Sequence, residues 1–97
     1  MKVLVCGSRG WSDEAAIRRE LERIPYYYYP SEITIIHGGA RGADRLAEKI
    51  AHDLGYRVVA VPANWKLYGR SAGPRRNEEM LKMQPDLVLA FNLGTPG

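Results

Sequence analysis

Three short stretches carry residue types suited to holding an anion. In HGGARGAD, residues 37–44, Gly38, Gly39 and Gly42 free the backbone to approach a ligand, and the helical pattern that follows turns its free N–H groups toward the same place. The spacing is neither a Walker A loop, which needs Gly-Lys-Ser/Thr, nor the G-x-G-x-x-G dinucleotide fingerprint. The stretch is therefore either a phosphate cradle or a purely conformational turn, and its own residues leave both open. Arg41 adds a cation. Asp44 suits a ribose hydroxyl or, equally, the first turn of a helix, where the dipole favours an acid. His37 is a candidate contact to a base or phosphate, or a residue that merely satisfies its loop.

In GSRGW, residues 7–11, Gly7 and Ser8 are small enough to admit a phosphate and Arg9 would neutralise it. Trp11 is either a base platform or a packing residue over the first helix. Cys6 begins something that looks like a phosphatase loop, but that chemistry needs an arginine six positions on and position 12 is Ser, so a thiol nucleophile is discarded. The segment PANWKLYGRSAGPRRNEEM, residues 62–80, opens with a loop longer than ordinary strand-to-helix links. Its Lys66, Arg70, Arg75 and Arg76, with Trp65 and Tyr68, suit a phosphorylated, ring-bearing ligand. Arg75 and Arg76 fall in the expected first turn of a helix, where each opposes the dipole by roughly 0.3–1 kcal/mol unless an anion, or Glu78 and Glu79, compensates.

These stretches need elements to position them. Four apolar runs, KVLVC (2–6), EITII (32–36), RVVAV (57–61) and DLVLAF (86–91), are continuous rather than alternating, which predicts strands buried on both faces of a parallel sheet. Helices are predicted over 13–24 with Ser12 as N-cap, over 43–54 with Gly55 as the stop, and over 74–83 with Pro74 at N1. The tyrosine run PYYYYP, residues 25–30, reads as a connection whose rings cover the sheet edge, with a stacking or partner surface as the alternative. A βαβαβαβ order with right-handed crossovers gives an α/β fold with a four-stranded parallel sheet in the order 3-2-1-4. Its switch point, between strands one and four, gathers GSRGW and the C-terminal NLGTPG, with HGGARGAD alongside, and the ligand is expected there.

The whole chain, 97 residues and 45% hydrophobic, suits one small domain spanning 1–97. The opening MKVLVCGSRG is too short for a signal peptide or a membrane span, and a single cysteine forms no intrachain disulfide, so a cytoplasmic location without a membrane partner is expected. His37, His52 and Cys6 lack metal-ligand spacing. A net charge of +3 favours anionic partners without demanding nucleic acid.

GSRGW, HGGARGAD and NW…YGRSAGPRRNEEM together resemble the YspA branch of the SLOG superfamily, the Rossmann-like group that includes the cytokinin-activating LOG phosphoribohydrolases and the DNA-processing protein DprA. The resemblance spans almost the whole chain. It implies a three-layer Rossmann-like sandwich with a pocket for a nucleotide or nucleotide-derived molecule; the sequence identifies no cofactor. Carried over by position, it points to Gly7, Ser8 and Arg9, to Gly38, Gly39, Gly42 and Asp44, and to Arg75 and Asn77. In the family a glycine-threonine loop after strand four leads into another helix and usually a strand, and LOG enzymes place a catalytic glutamate just after that loop; LGTPG stops at Gly97 instead. The expectation is a chain lacking the last helix and strand of the family, with apolar surface left open for a homodimer.

Three functions follow in order. The first is binding, in a sensing role, of a nucleotide or sugar-phosphate derivative by Gly7, Ser8, Arg9, Gly38, Gly39, Arg41, Gly42, Asp44, Arg75, Arg76 and Asn77, with Trp11, Trp65 and Tyr68 as candidate base or ribose contacts. The second is hydrolysis of an N-glycosidic or phosphoester bond with Glu78, Glu79 or Asp44 as acid or base. Single-stranded nucleic-acid binding, prompted by a pI near 9.2, comes third.

Overall fold

The computed structural model describes residues 1–93; Gly94–Gly97 of the expected C-terminal loop, and the side chains of Pro25 and Tyr26, lie outside the described residues. The elements run β1 (Lys2–Gly7), α1 (Glu14–Glu22), β2 (Thr34–His37), α2 (Ala43–Leu54), β3 (Arg57–Ala60), α3 (Trp65–Tyr68), α4 (Ala72–Lys82) and β4 (Leu87–Phe91). The strands form one sheet in the order β3-β2-β1-β4 with every neighbour parallel, the topology expected from right-handed crossovers.

Strand alternation divides the core in two. Val3 and Val5 of β1 and Ile35 of β2 point toward α1 and α2, where Ile17, Leu21, Ala47 and Ile50 are fully buried against them. Each of the larger aliphatic side chains contributes about 1.5–3 kcal/mol by leaving water. Leu4 and Ile36 point the other way, onto Met80 of α4, with Val59, Val61 and Met83 at the margin. Because α4 sits over this smaller cluster, burial on both faces holds for β1 and β2 but not for the edge strands: Val88 on β4 is 51% exposed and Ala90 is exposed.

Helix boundaries follow the available caps. α1 is capped by Asp13 rather than Ser12, because the Asp13 carboxylate reaches the amide of Ala16 at 3.1 Å. α2 stops at Gly55, which takes the left-handed conformation (φ 80°). The loop expected over 62–73 contains the extra short helix α3, capped by the Asn64 side chain, which accepts from Leu67 N at 3.1 Å. α4 then starts at Ala72, two residues before Pro74, whose missing N–H falls among the amides that a first turn leaves unpaired. That shift carries Arg76 past the first turn and leaves Arg75 at its end, so the dipole opposes them less than the sequence suggests.

The tyrosine run lies at the opposite end of the strands from the glycine-bearing turns. Tyr27 and Tyr29 are 86% and 79% exposed, so these rings do not cover the sheet edge. The connection closes instead through backbone turns at Ile24–Tyr27 and Pro30–Glu32, and among the described rings Tyr56 is buried here, its hydroxyl donating to Leu21 O at 2.8 Å.

Candidate functional site

The C-terminal ends of β1 and β4 are drawn together at Ser8. Its amide donates to Phe91 O at 2.8 Å, its carbonyl accepts from Trp11 N at 3.1 Å and Ala43 N at 3.3 Å, and its hydroxyl accepts from Leu93 N at 3.1 Å. One residue thus ties the turn after β1 to the start of α2 and the end of β4. Gly7 lies flush against the Phe91 carbonyl and Ala43. Gly42, the N-cap of α2, lies against the carbonyl oxygens of Ser8 and Arg9 with φ 81°, a conformation and a proximity that exclude a side chain.

The 37–44 turn satisfies its own amides. Gly38 N and Ala40 N both donate to Asp44 Oδ2, at 3.1 and 3.3 Å, and the Asp44 side chain is buried beneath them. Gly39 N donates to His37 Nδ1 at 2.9 Å. An acceptor at Nδ1 leaves the imidazole proton on Nε2, which donates to Glu48 Oε1 at 3.2 Å. His37 is 1% exposed and acts as a brace for the turn. The three amides that a cradle would present to a phosphate are therefore bonded within the protein, and the carboxylate of Asp44 occupies their concavity.

Positive charge comes from side chains instead. A cleft of about 390 Å³ is lined by Arg9, Gly38, Gly39, Ala40, Arg41, Pro62, Ala63, Trp65 and Arg76. Arg76 is held in its wall: Nη1 donates to Gly38 O at 3.0 Å and Nε to Asn77 Oδ1 at 3.1 Å. Gly38 is the space for that guanidinium, since a Cβ there would come within 2.6 Å of Arg76 Nη1. A second hollow of about 220 Å³ adjoins the cleft, shares Pro62 and Arg76 with it, and is completed by Asn64, Tyr68, Ala72, Arg75 and Glu79. Arg75 lies over the Tyr68 ring, 4.3 Å from its centroid, and its Nε donates to Ser71 Oγ at 3.3 Å.

Of the residues expected at the ligand, Arg9, Gly38, Gly39, Arg41, Trp65 and Arg76 meet in the principal cleft, and Tyr68 and Arg75 in the second hollow. Gly7, Ser8, Gly42 and Asp44 build the turns behind it, and Asn77 orients Arg76. Trp11 is directed elsewhere: its ring packs on Phe91 with centroids 5.6 Å apart and its Nε1 donates to Asp13 O, so it is a packing residue. The apolar walls Pro62 and Ala63 carried no chemical signal in the sequence. Cys6 is half-buried, and its thiol is pushed up from the ordinary value by burial first and by the Asp44 charge second, which makes it a poor nucleophile. No group of His, Cys, Asp and Glu among the described residues is arranged to hold a metal ion, and no helix among them is long and apolar enough to cross a membrane.

A parallel sheet wound in this order, with arginines gathered at the C-terminal ends of its strands, defines an α/β protein of the Rossmann-like kind. Residues 1–68 match the model of the YspA, cpYpsA-related SLOG family, and the chain belongs to that family, which carries a nucleotide-related ligand-binding or processing role. It is 39% identical over 102 residues to the Gene 61 protein of Mycobacterium phage D29, an alignment covering 96% of this chain and 78% of the phage protein. No solved structure matches it. Arg75 and Arg76 lie beyond the residues matched by the family model.

Proposed function

We propose that this protein binds a nucleotide or nucleotide-derived sugar phosphate in a sensing role, with the phosphate among Arg9, Arg41 and Arg76 and the base near Trp65. The observation that carries this reading is the cleft's lining: three guanidinium groups, an indole and, among the described residues, no carboxylate on one concave surface. Guanidinium groups pair with phosphate oxygens in a planar fork, and an indole supplies a stacking face. A volume of about 390 Å³ falls within the range of small-molecule sites.

Isothermal titration with adenosine monophosphate and inorganic phosphate at low salt tests the reading. Both ligands bind the wild type, and Arg41→Ala or Arg9→Ala weakens each by about 10- to 100-fold, the value of one charged hydrogen bond. These side chains are exposed and hold no internal bond among the described residues, so the fold survives their loss. Silence of the wild type toward every phosphate tried, or unchanged affinity in both variants, defeats the reading. Hydrolysis is the weaker alternative. Of its three candidate acids Asp44 is bonded within its turn, Glu78 lines neither cavity, and Glu79 stands only in the second hollow.

A homodimer is part of the same proposal. The exposed Val88 and Ala90 on β4, with Leu81 exposed on α4, leave apolar surface on the face that α4 only partly covers. Light scattering is expected to give twice the chain mass for the wild type and a single chain mass for Val88→Glu; a monomeric wild type removes this part.

A further inference from the structure

Arg75 and Asn64 line the second hollow and not the principal cleft, and each is held in place with donors to spare. The Arg75 guanidinium lies over the Tyr68 ring and its Nε donates to Ser71 Oγ at 3.3 Å, while its two terminal nitrogens hold no bond among the described residues. Asn64 accepts at Oδ1 from Leu67 N, which leaves its amide N–H groups as donors. Arg76 completes the set from the shared wall. Its Nη1 and Nε are bonded to Gly38 O and Asn77 Oδ1, and its Nη2 holds no bond among the described residues. Against the two guanidinium groups of this hollow stands one carboxylate, that of the exposed Glu79. The lining is therefore net positive, and the two adjoining hollows together set four guanidinium groups against that single carboxylate. One phosphate in the principal cleft leaves Arg75 and Asn64 unused. Guanidinium groups positioned beforehand pair with a phosphate at little ordering cost, so the second hollow is suited to another anion.

We propose that the second hollow is a second anion subsite and that the ligand class is a nucleoside diphosphate. One phosphate lies among Arg9, Arg41 and Arg76, and the other continues past Arg76 against Arg75 and the Asn64 amide. Arg76 lines both hollows, so it is the cation common to the two phosphates. Tyr68 acts through Arg75, its ring holding the guanidinium 4.3 Å from the centroid. This inference rests on the phosphate-binding reading of the principal cleft and adds the class of ligand to it.

The test compares adenosine monophosphate with adenosine diphosphate by isothermal titration at low salt, since the two probes differ by one phosphate. The wild type is expected to bind the diphosphate about tenfold more tightly, the value of one charged hydrogen bond at the second subsite. Arg75→Ala brings the two probes within about threefold of each other. Arg23→Ala removes a cation beyond the end of α1, where it pairs with Glu20, and keeps the wild-type ratio. That variant separates a built subsite from the general attraction of a positively charged protein. Both arginines are exposed, so the fold survives their loss, and circular dichroism checks this. A wild-type ratio below about threefold, an unchanged ratio in Arg75→Ala, or an equal fall in Arg23→Ala overturns the proposal while Arg41→Ala still weakens both probes. If neither probe binds the wild type, or Arg41→Ala weakens neither, the phosphate-binding reading fails and this proposal falls with it.

Discussion

Replacing Gly42 with alanine lowers stability by about 3 kcal/mol or more, which for a domain of this size is roughly 12–24 °C in melting temperature. Two effects add. At φ 81° and ψ −127° the backbone occupies a region that residues with a Cβ avoid. The new methyl would also drive into the carbonyl oxygens of Ser8 and Arg9. Neither oxygen can swing aside as a side chain would, because Ser8 is tied to Phe91, Trp11 and Ala43 through its backbone. Relief requires the turn after β1 to part from α2. Thermal unfolding followed by circular dichroism measures this, and a loss below about 4 °C would contradict the junction at Ser8. Gly38→Ala provides the contrast. Its Cβ would meet the end of the Arg76 side chain at 2.6 Å, and that guanidinium can move. Stability then changes by about 1 kcal/mol, the worth of the Arg76 bond to Gly38 O, while phosphate affinity falls because the cleft loses a positioned cation.

The sheet was legible because strands buried between helices must be apolar throughout, and β1 and β2 are; right-handed crossovers then left the single order found. The expectation failed for β4, where Val88 stands exposed, because nothing in DLVLAF records which neighbour covers each face. α3 escaped notice for a different reason. A four-residue helix shows no periodic stripe, and its visible cue, Asn64 as a cap, also suits any turn. Within the site, arginine and tryptophan announce their chemistry by type, so Arg9, Arg41, Trp65 and Arg76 could be named before their positions were known. What side-chain type does not record is partner choice. Asp44 could equally serve a ribose or its own turn, and Trp11 a base or Phe91; the distances to Gly38 N, Ala40 N and Phe91 give the partners each holds in the free protein, which spacing in the chain does not.

Asp44→Ala is expected to remove about 3 kcal/mol, because it strands two amide donors in a site where Asp44 is only 6% exposed. Asp44→Asn behaves differently. Both bonds end on the same oxygen, Oδ2, so a single amide oxygen can accept from Gly38 N and Ala40 N together, and only the charge assistance is lost, about 1 kcal/mol. The pair of variants separates an internal brace from a ligand contact. If Asp44 shapes the turn, Asp44→Asn keeps nucleotide affinity near the wild-type value and Asp44→Ala loses affinity together with stability. If its carboxylate reached a ribose, Asp44→Asn would lose affinity while remaining folded, and the arrangement of Gly38, Ala40 and Asp44 in the free protein would not persist in the complex. Cys6 gives an independent reading of the same charge. Its thiol is raised by burial first and by Asp44 second, so Asp44→Asn moves it part of the way back and iodoacetamide reacts at lower pH than in the wild type. The larger share, from burial, remains, and the labelling curve stays above that of a free cysteine in both proteins.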